Sequence, residues 1–505
     1  FGGNSSSEIR VTIHGACQHH GYARETGIIS ELLIEERAQN HEPMFENGWV
    51  NSVWDMVMYD MAMQTPNLTF HLNTSIIEVI KDDDRTIRAV IGRVANAETE
   101  ITFNGKIFID CTGDGVLAAM AGCEWRMGSE GRAEFDEPHA PLEASDATMG
   151  NSIHIKAKDM GRPVPFKLPS WAVEYDDASF FYEGGRIPHD PRGGFWWIEI
   201  GVPWHTIHEN ETIRHELTRH ALGVWDWIKN KDPRLKVQAA NYGLDWIGQV
   251  PGKRESRRII GQYFMTEHDL IQKTVFEDEV AFGGWFLDLH TPGGLLAEHS
   301  EPASAEGYKK TSDYAAKSFV GPYGIPLRTL IAKDVDNLMM AGRCLSVTHA
   351  ALGSVRVQGT TALMGQAVGT AASIALEQDI PPSQIAEQAI VKVQQRMLRD
   401  GCYLPNYSNN DPTDLARSAT VTASSSDKLR GVGPGSTGWY YQQLQSWDDK
   451  PEARDPATLE RRLGQWIALG NEGVQRIAVC LTNTSSEAQI IESQLLDVDH
   501  IWDYR

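Results

Sequence analysis

Two short apolar runs, far apart in the chain, most constrain what it can fold into, because each ends in a glycine turn and leads to a helix. The first is Phe108-Ile109-Asp110, followed by Cys111-Thr112-Gly113-Asp114-Gly115 and a helical stretch from Val116 to Ala121. The second is Asn337–Ala341, closed by Gly342-Arg343, with a polar loop and then a helix from about Thr360 to Gln378. A buried strand that ends in small residues and enters a helix is the repeating unit of an open parallel sheet. Ligands of such sheets sit beyond the carboxyl ends of the strands. Taken singly, each run also fits a plain strand–turn–helix with no ligand.

The flanking segments suit that class. Helices are expected over Gly27–Gln39 and Trp54–Gln64, and strands over Leu68–Leu72, Ser75–Ile80, Ala89–Val94 and Lys106–Asp110. Residues 151–320 change character. Aromatics cluster there (Trp171, Phe180, Phe181, Phe195, Trp196, Trp204), around one helix of roughly Glu211–Lys231. This reads as an inserted antiparallel α+β domain with a substrate-facing surface. A last helix is expected over Pro382–Asp400. A linker rich in Asn, Ser, Pro and Asp then leads to a strand-rich tail with Ala419–Ser424, Gln465–Ala468 and Arg476–Leu481 as strands. The expected division is 1–150 and 321–404 as two parts of one α/β domain, 151–320 as the insertion, and 405–505 as a β-sandwich.

Composition narrows the partners. The 505 residues carry a formal charge of −22, which repels phosphate backbones and argues against nucleic acid. No apolar run is long enough to predict a membrane span. Six cysteines, none in a C-x-x-C pair, argue against an iron–sulfur cluster, a zinc ribbon or a disulfide framework. His19-His20 near Cys17 fits no common metal spacing, so no metal is expected. Neither the compartment nor the electron acceptor is fixed by the sequence.

The helix after Thr360 has small residues at Gly365, Gly369 and Ser373, with Ala367, Ala371 and Ala375 beside them. That spacing lets a helix lie close to a sheet or a flat ligand, and its N-terminal amides favour partial negative charge. Together with Phe108–Gly115 and Asn337–Thr361, the segment Gly2-Gly3-Asn4-Ser5-Ser6-Ser7-Glu8, the run Pro251–Arg258 and Tyr323–Leu330 occur in one order over roughly residues 1–400. In that order they resemble the FAD-dependent oxidoreductase family within the glutathione-reductase-like, two-dinucleotide-binding flavoproteins.

The resemblance implies FAD as cofactor and an FAD-binding Rossmann-like domain. It implies that Gly2, Gly3, Asn4 and Ser5 line the pyrophosphate and flavin side, and that Thr112, Gly113 and Asp114 lie near the dinucleotide. Gly342 and Arg343 would contact the ribityl and phosphate region, although many relatives carry Asp where Arg343 stands. Ser354, Val355, Arg356 and Gln358 would approach the isoalloxazine ring. Such families open with a strand, a G-x-G-x-x-G turn and an acidic residue for the ribose. The sequence begins beyond that point, so a chain lacking its first strand and turn is expected.

Oxidation of an alcohol by a flavin needs a base for the hydroxyl proton, and histidine is the usual choice. Among 17 histidines, His349 stands in the loop before the flavin-facing helix. Alternation in a short strand after Trp285 places His290 on one face with Asp288. The run Arg254, Glu255, Arg257 and Arg258 reads either as a solvated face with internal ion pairs or as a clamp on a polar substrate, with Arg254, Glu255 and Arg257 as its members. In the tail, Asp414–Ser425 and Gly464–Leu469 resemble discoidin-like, galactose-binding modules. The expected activity is therefore hydride transfer from a hydroxyl-bearing small molecule, a carbohydrate or polyol, to FAD. A carbohydrate-active lyase or hydrolase and a non-catalytic carbohydrate-binding protein are the alternatives.

Overall fold

The computed structural model of the chain describes residues 1–20, 23–39, 53–298 and 318–414, with the isolated strands Thr420–Thr422 and Cys480–Thr482. Its centre is the meeting of the two apolar runs. Phe108–Asp110 and Leu338–Met340 lie side by side as parallel strands, with Leu338 opposite Phe108, Met339 opposite Ile109 and Met340 opposite Asp110. Leu338, Met339 and Met340 are fully buried, as strands covered on both faces must be. Each side chain of that kind contributes about 1.5–3 kcal/mol by leaving water.

A three-stranded antiparallel sheet flanks this pair: Thr74–Asp83, Thr86–Val94 and Thr99–Asn104, in that order. Its β-branched residues suit a half-buried pleat, and Ile87 and Val90 pack with Phe108, Leu338 and Met340. The expected strand Leu68–Leu72 is not formed. Residues 68–71 are irregular, and Leu68 and Leu72 are exposed, so this apolar stretch has no sheet to join among the described residues.

The middle of the chain has its own core. The helix Asn210–Asp226 buries Ile213, Leu217, Ala221 and Val224 along one stripe. They meet Ile153, Ile155, Phe181, Phe195 and Ile200. Much of the aromatic cluster is therefore core rather than a ligand-facing surface: Phe181 stacks on Trp227 at 4.9 Å and Phe195 on Trp197 at 5.3 Å. A small antiparallel sheet places Asn151–Ser152 between Glu199–Ile200 and Gly252–Lys253.

The helix Gln358–Gln378 turns Leu363, Met364, Ala367, Val368, Ala371, Ile374 and Ala375 into the main core. The Gly365/Gly369/Ser373 face does not lie against a sheet. It opens on a groove of about 590 Å³ shared with Ile28, Ile29 and Leu32 of the helix Ile28–Gln39. The loop expected after Gly342 contains a further helix, His349–Val355, capped by Thr348, whose hydroxyl accepts from the Ala351 amide. The last expected helix is broken into Pro382–Gln384, Ile385–Gln388 and Ile390–Arg399, the break falling at Ala389. In the tail, Thr420–Thr422 pairs antiparallel with Cys480–Thr482, while Gln465–Ala468 and most of the expected β-sandwich lie outside the described residues. Among the described residues no helix is long and apolar enough to cross a membrane.

Candidate active site

Asp110 ends the first parallel strand and builds the turn beyond it. Its buried carboxylate accepts from the Thr112 amide at 2.9 Å, the Thr112 hydroxyl at 2.7 Å and the Ala118 amide at 2.9 Å. The Thr112 hydroxyl accepts in turn from the Val116 amide. Gly113 and Gly115 take positive φ of 72° and 62°, which glycine adopts without strain. A Cβ at Gly113 would meet the Arg343 guanidinium from the second strand end.

Asp114 is the hinge between the two strand ends. It pairs with Arg343 at 2.8 Å and Lys253 at 2.5 Å, and its backbone carbonyl accepts from Arg257 at 3.2 Å. Burial alone would raise the Asp114 carboxyl, but Arg343 and Lys253 hold it below its ordinary value. Two cations thus hold the carboxylate, and a third holds the backbone carbonyl of the same residue. The Gly2–Ser5 loop joins them, because the Asn4 amide donates to the Lys253 carbonyl at 3.0 Å. Within that loop the Ser5 hydroxyl donates to the Gly2 carbonyl and accepts from the Trp54 indole, and Gly2 and Gly3 both have positive φ. Gly342 also has positive φ, 100°, with open space where a Cβ would stand.

A second assembly lies largely in the interior. His290 contacts Glu199 through Nδ1 at 2.7 Å and Asp288 through Nε2 at 3.0 Å. Residues 284–290 form no strand, yet Asp288 and His290 meet as the alternation expects. Glu199 also pairs with Arg254 at 3.1 Å, and Asp288 with Arg356 at 3.2 Å. Against the rise that burial alone would cause, Arg254 and His290 hold Glu199 below the usual carboxylate range, and His290 and Arg356 hold Asp288 well below it. Arg254 further donates to the carbonyls of Gly150 and Trp196 and to the Ser152 hydroxyl.

The third assembly centres on His349. Its Nδ1 lies 2.9 Å from Glu255, a fully buried carboxylate that also accepts from the Met149 amide at 2.9 Å. Burial works against the charge on Glu255, and His349 and Arg258 overcome it, so its carboxyl lies below the ordinary value. Arg258 pairs with Glu130 at 2.8 Å, and Glu130 accepts from the His349 amide at 2.8 Å. His349 Nε2 has no hydrogen-bond partner among the described residues. The run Arg254–Arg258 is therefore not a solvated face: Arg254, Glu255 and Arg258 are buried, and only Arg257 keeps appreciable exposure.

The remaining expected residues line the entry to the long helix. Ser354 and Val355 are buried, and the Ser354 hydroxyl contacts the Trp285 carbonyl and the Tyr323 hydroxyl, both at 2.5 Å. Arg356 belongs to the Asp288 pair, and Gln358 donates to the Val11 carbonyl at 3.4 Å. The Gly359 amide is taken by the His14 carbonyl at 2.7 Å, so not every amide of this N-terminus is open to a ligand. Thr360, one residue on, has a buried hydroxyl without a partner among the described residues. Sequence reasoning missed Glu199, Glu130 and Lys253. For Glu199 a signal existed, a carboxylate inside the apolar run Trp197-Ile198-Glu199-Ile200. For Glu130 there was none.

These residues fit a flavin dinucleotide. Gly342 at the second strand end leaves open space for close approach, the cations around Asp114 suit phosphate, and the buried Thr360 hydroxyl at the helix start lacks a partner among the described residues. Among the described residues no group of histidine, cysteine and carboxylate side chains could hold a metal ion. No curated protein and no solved structure matches the chain. A family model does, over residues 1–397, and by that match the chain belongs to the FAD-dependent oxidoreductases, enzymes that bind FAD and carry out flavin-linked redox chemistry.

Proposed function

We propose that the enzyme oxidises a carbon bearing a hydroxyl group, with His349 as the base. The observation that carries this reading is the Glu255–His349 ion pair: a buried carboxylate lies 2.9 Å from Nδ1, and Nε2 has no partner among the described residues. A base must keep one nitrogen for its substrate, and an orienting carboxylate on the other sets the tautomer. His349 Nε2 takes the hydroxyl proton, and the Glu255 carboxylate stabilises the imidazolium that results. FAD, when bound, would supply the acceptor for the hydride that leaves the carbinol carbon.

In the same reading the glycine-lined ends of the two parallel strands hold the dinucleotide in a Rossmann-like arrangement. Gly2–Ser5, Thr112–Asp114, Gly342 and Arg343 lie on its phosphate side, and Ser354–Gln358 lie toward the ring. Arg254 and Glu255 act through the histidines they support, because Arg254 pairs with Glu199, the partner of His290, and Glu255 pairs with His349. A carbohydrate or other polyol is the substrate class, by analogy with the discoidin-like tail. The test is anaerobic bleaching of the visible flavin band of the purified full chain by a panel of polyols, in wild type and His349→Gln. A hydroxyl-bearing substrate should bleach the wild-type flavin. The variant should slow bleaching by about 10²–10⁴-fold with an unchanged flavin band. Equal rates would overturn His349 as base.

A further inference from the structure

We propose that Glu130 is a positioning residue for His349, holding it through its backbone amide and through a ring of paired charges. The inference rests on the reading of His349 as base and names the residue that sets the strength of that base. Glu130 follows the short strand Trp125–Arg126, far in sequence from His349. One of its oxygens accepts from the His349 amide at 2.8 Å, and the other pairs with Arg258 at 2.8 Å. Arg258 Nε lies 3.6 Å from Glu255, and Glu255 lies 2.9 Å from His349 Nδ1. Four residues thus close a ring in which each touches two others. All four are buried.

The contacts divide the work. His349 is the first residue of the helix His349–Val355, so its amide has no carbonyl one turn back to reach, and Glu130 supplies the acceptor. Arg258 also donates to the carbonyls of Val347 and Gly128. It therefore ties the backbone just before His349 to the segment that carries Glu130. Glu130 acts on the base only through the backbone and Arg258.

Charge makes that position matter. With a neutral imidazole, the ring holds one cation, Arg258, between two carboxylates. When His349 takes the substrate proton, cations and carboxylates balance. Glu130 keeps Arg258 from serving Glu255 alone, so Glu255 retains charge for the imidazolium. The other charged groups around this helix are engaged elsewhere. Arg126, 3.7 Å from Glu130, pairs with Glu134 at 2.7 Å. Glu137 accepts from the Thr348 hydroxyl, and Glu267 pairs with His139. In the neighbouring helix Glu267–Gln272, His268 bonds the Phe135 carbonyl and Asp269 the Tyr263 hydroxyl. Asp288, whose backbone packs on Gly353, pairs with Arg356 and His290.

The test follows the His349 ring by the NMR signal of its Cε1–H in the full chain, labelled in histidine, from about pH 5 to about pH 9. The signal is assigned by its loss in His349→Gln. Glu130→Gln keeps the volume and removes the anion, so the midpoint of the titration should fall by about half a unit or more. Glu130→Asp keeps the anion and should restore most of that fall. The His290 signal belongs to the other assembly and should not move. If Glu130→Gln does not fold, Glu130→Met carries the same comparison. An unchanged or raised midpoint, an equal fall in Glu130→Asp, a His290 signal that moves in step, or a His349 ring that keeps one charge state throughout would overturn the inference. Bleaching of the flavin by the polyol panel separates this idea from the reading it rests on. Bleaching in wild type with no shift in Glu130→Gln sinks the role of Glu130 alone. A shift in a protein whose flavin no polyol bleaches sinks the alcohol-oxidation reading alone. With a bleaching polyol, Glu130→Gln should slow the step about ten-fold and leave the half-saturating concentration little changed.

Discussion

His290 and His349 are both buried and both sit against carboxylates, but the carboxylates use them differently. His290 is hydrogen-bonded to Glu199 through Nδ1 and has Asp288 3.0 Å from Nε2, and arginines stand behind each carboxylate. His349 is gripped at one nitrogen by Glu255, and the other is open. Both were candidate bases by residue type. The difference lies in the count of carboxylates: two close the imidazole into a charge chain from Arg254 to Arg356, and one leaves a usable lone pair. The first arrangement ties the middle sheet, through Glu199, to the residue that follows the His349–Val355 helix. The second is the arrangement that the proposed base requires.

The comparison can be broken most sharply at Glu199. Replacing it by alanine leaves Arg254 and His290 facing each other without their shared anion. Urea unfolding should show a loss of about 3–5 kcal/mol, the cost of stranding buried charge. A loss below about 1 kcal/mol would mean that the chain of charges is not a closed unit. Next is Glu255→Gln, which keeps the volume and removes the charge that steadies the protonated His349. We expect kcat to fall by about 10²-fold with KM little changed, measured with whichever polyol bleaches the flavin. An unchanged kcat would make Glu255 structural only.

The third test is pH. Glu199, Glu255 and Asp288 all have folded values below their ordinary ones. Groups depressed by folding contribute stability that is fully present above their unfolded values and lost as pH falls through the folded ones. In a melting-temperature profile, the contribution of these three carboxylates should be fully present down to about pH 4.5 and lost below it, on top of a fall from about pH 6.5 as the imidazoles of His20, His154 and His220, lowered by burial, are driven to charge. A profile without the further fall below about pH 4.5 would break this account of the three carboxylates. The smallest effect is expected at Arg257, the member of the same run outside both assemblies. It makes one bond, to the Asp114 carbonyl, and stands over the Trp125 ring. Arg257→Ala should cost about 1 kcal/mol in urea unfolding.

Much of the frame was legible because it depends on local pattern. Phe108–Asp110 and Leu338–Met340 declared themselves by an apolar run closed by glycine. The helices Ile28–Gln39 and Trp54–Gln64 were found within a residue of their ends. What escaped depends on partners distant in sequence. Nothing in Arg254-Glu255-Ser256-Arg257-Arg258 says that neighbouring residues go to separate assemblies, because that division is set by Glu199, Glu130 and the Met149 amide. Leu68–Leu72 failed for the same reason in reverse, since an apolar segment becomes a strand only where a neighbour accepts it. Phe181 and Phe195 of the aromatic cluster lie in the middle core, because such side chains are as useful for filling a core as for facing a ligand.

The parallel pairing of Phe108–Asp110 with Leu338–Met340 also governs how the molecule is assembled in time. The two strands are separated by more than two hundred residues of chain, and their ends carry Asp114 and Arg343. Closing so long a loop costs entropy before any contact rewards it. The intervening chain has a core of its own, from Ile153 to Leu295, whose collapse shortens the span to be closed. In a refolding experiment, burial of Trp225 and Trp227 in that core should precede the appearance of flavin binding, and lesions in the middle core should delay cofactor uptake while leaving every residue around Asp114 untouched.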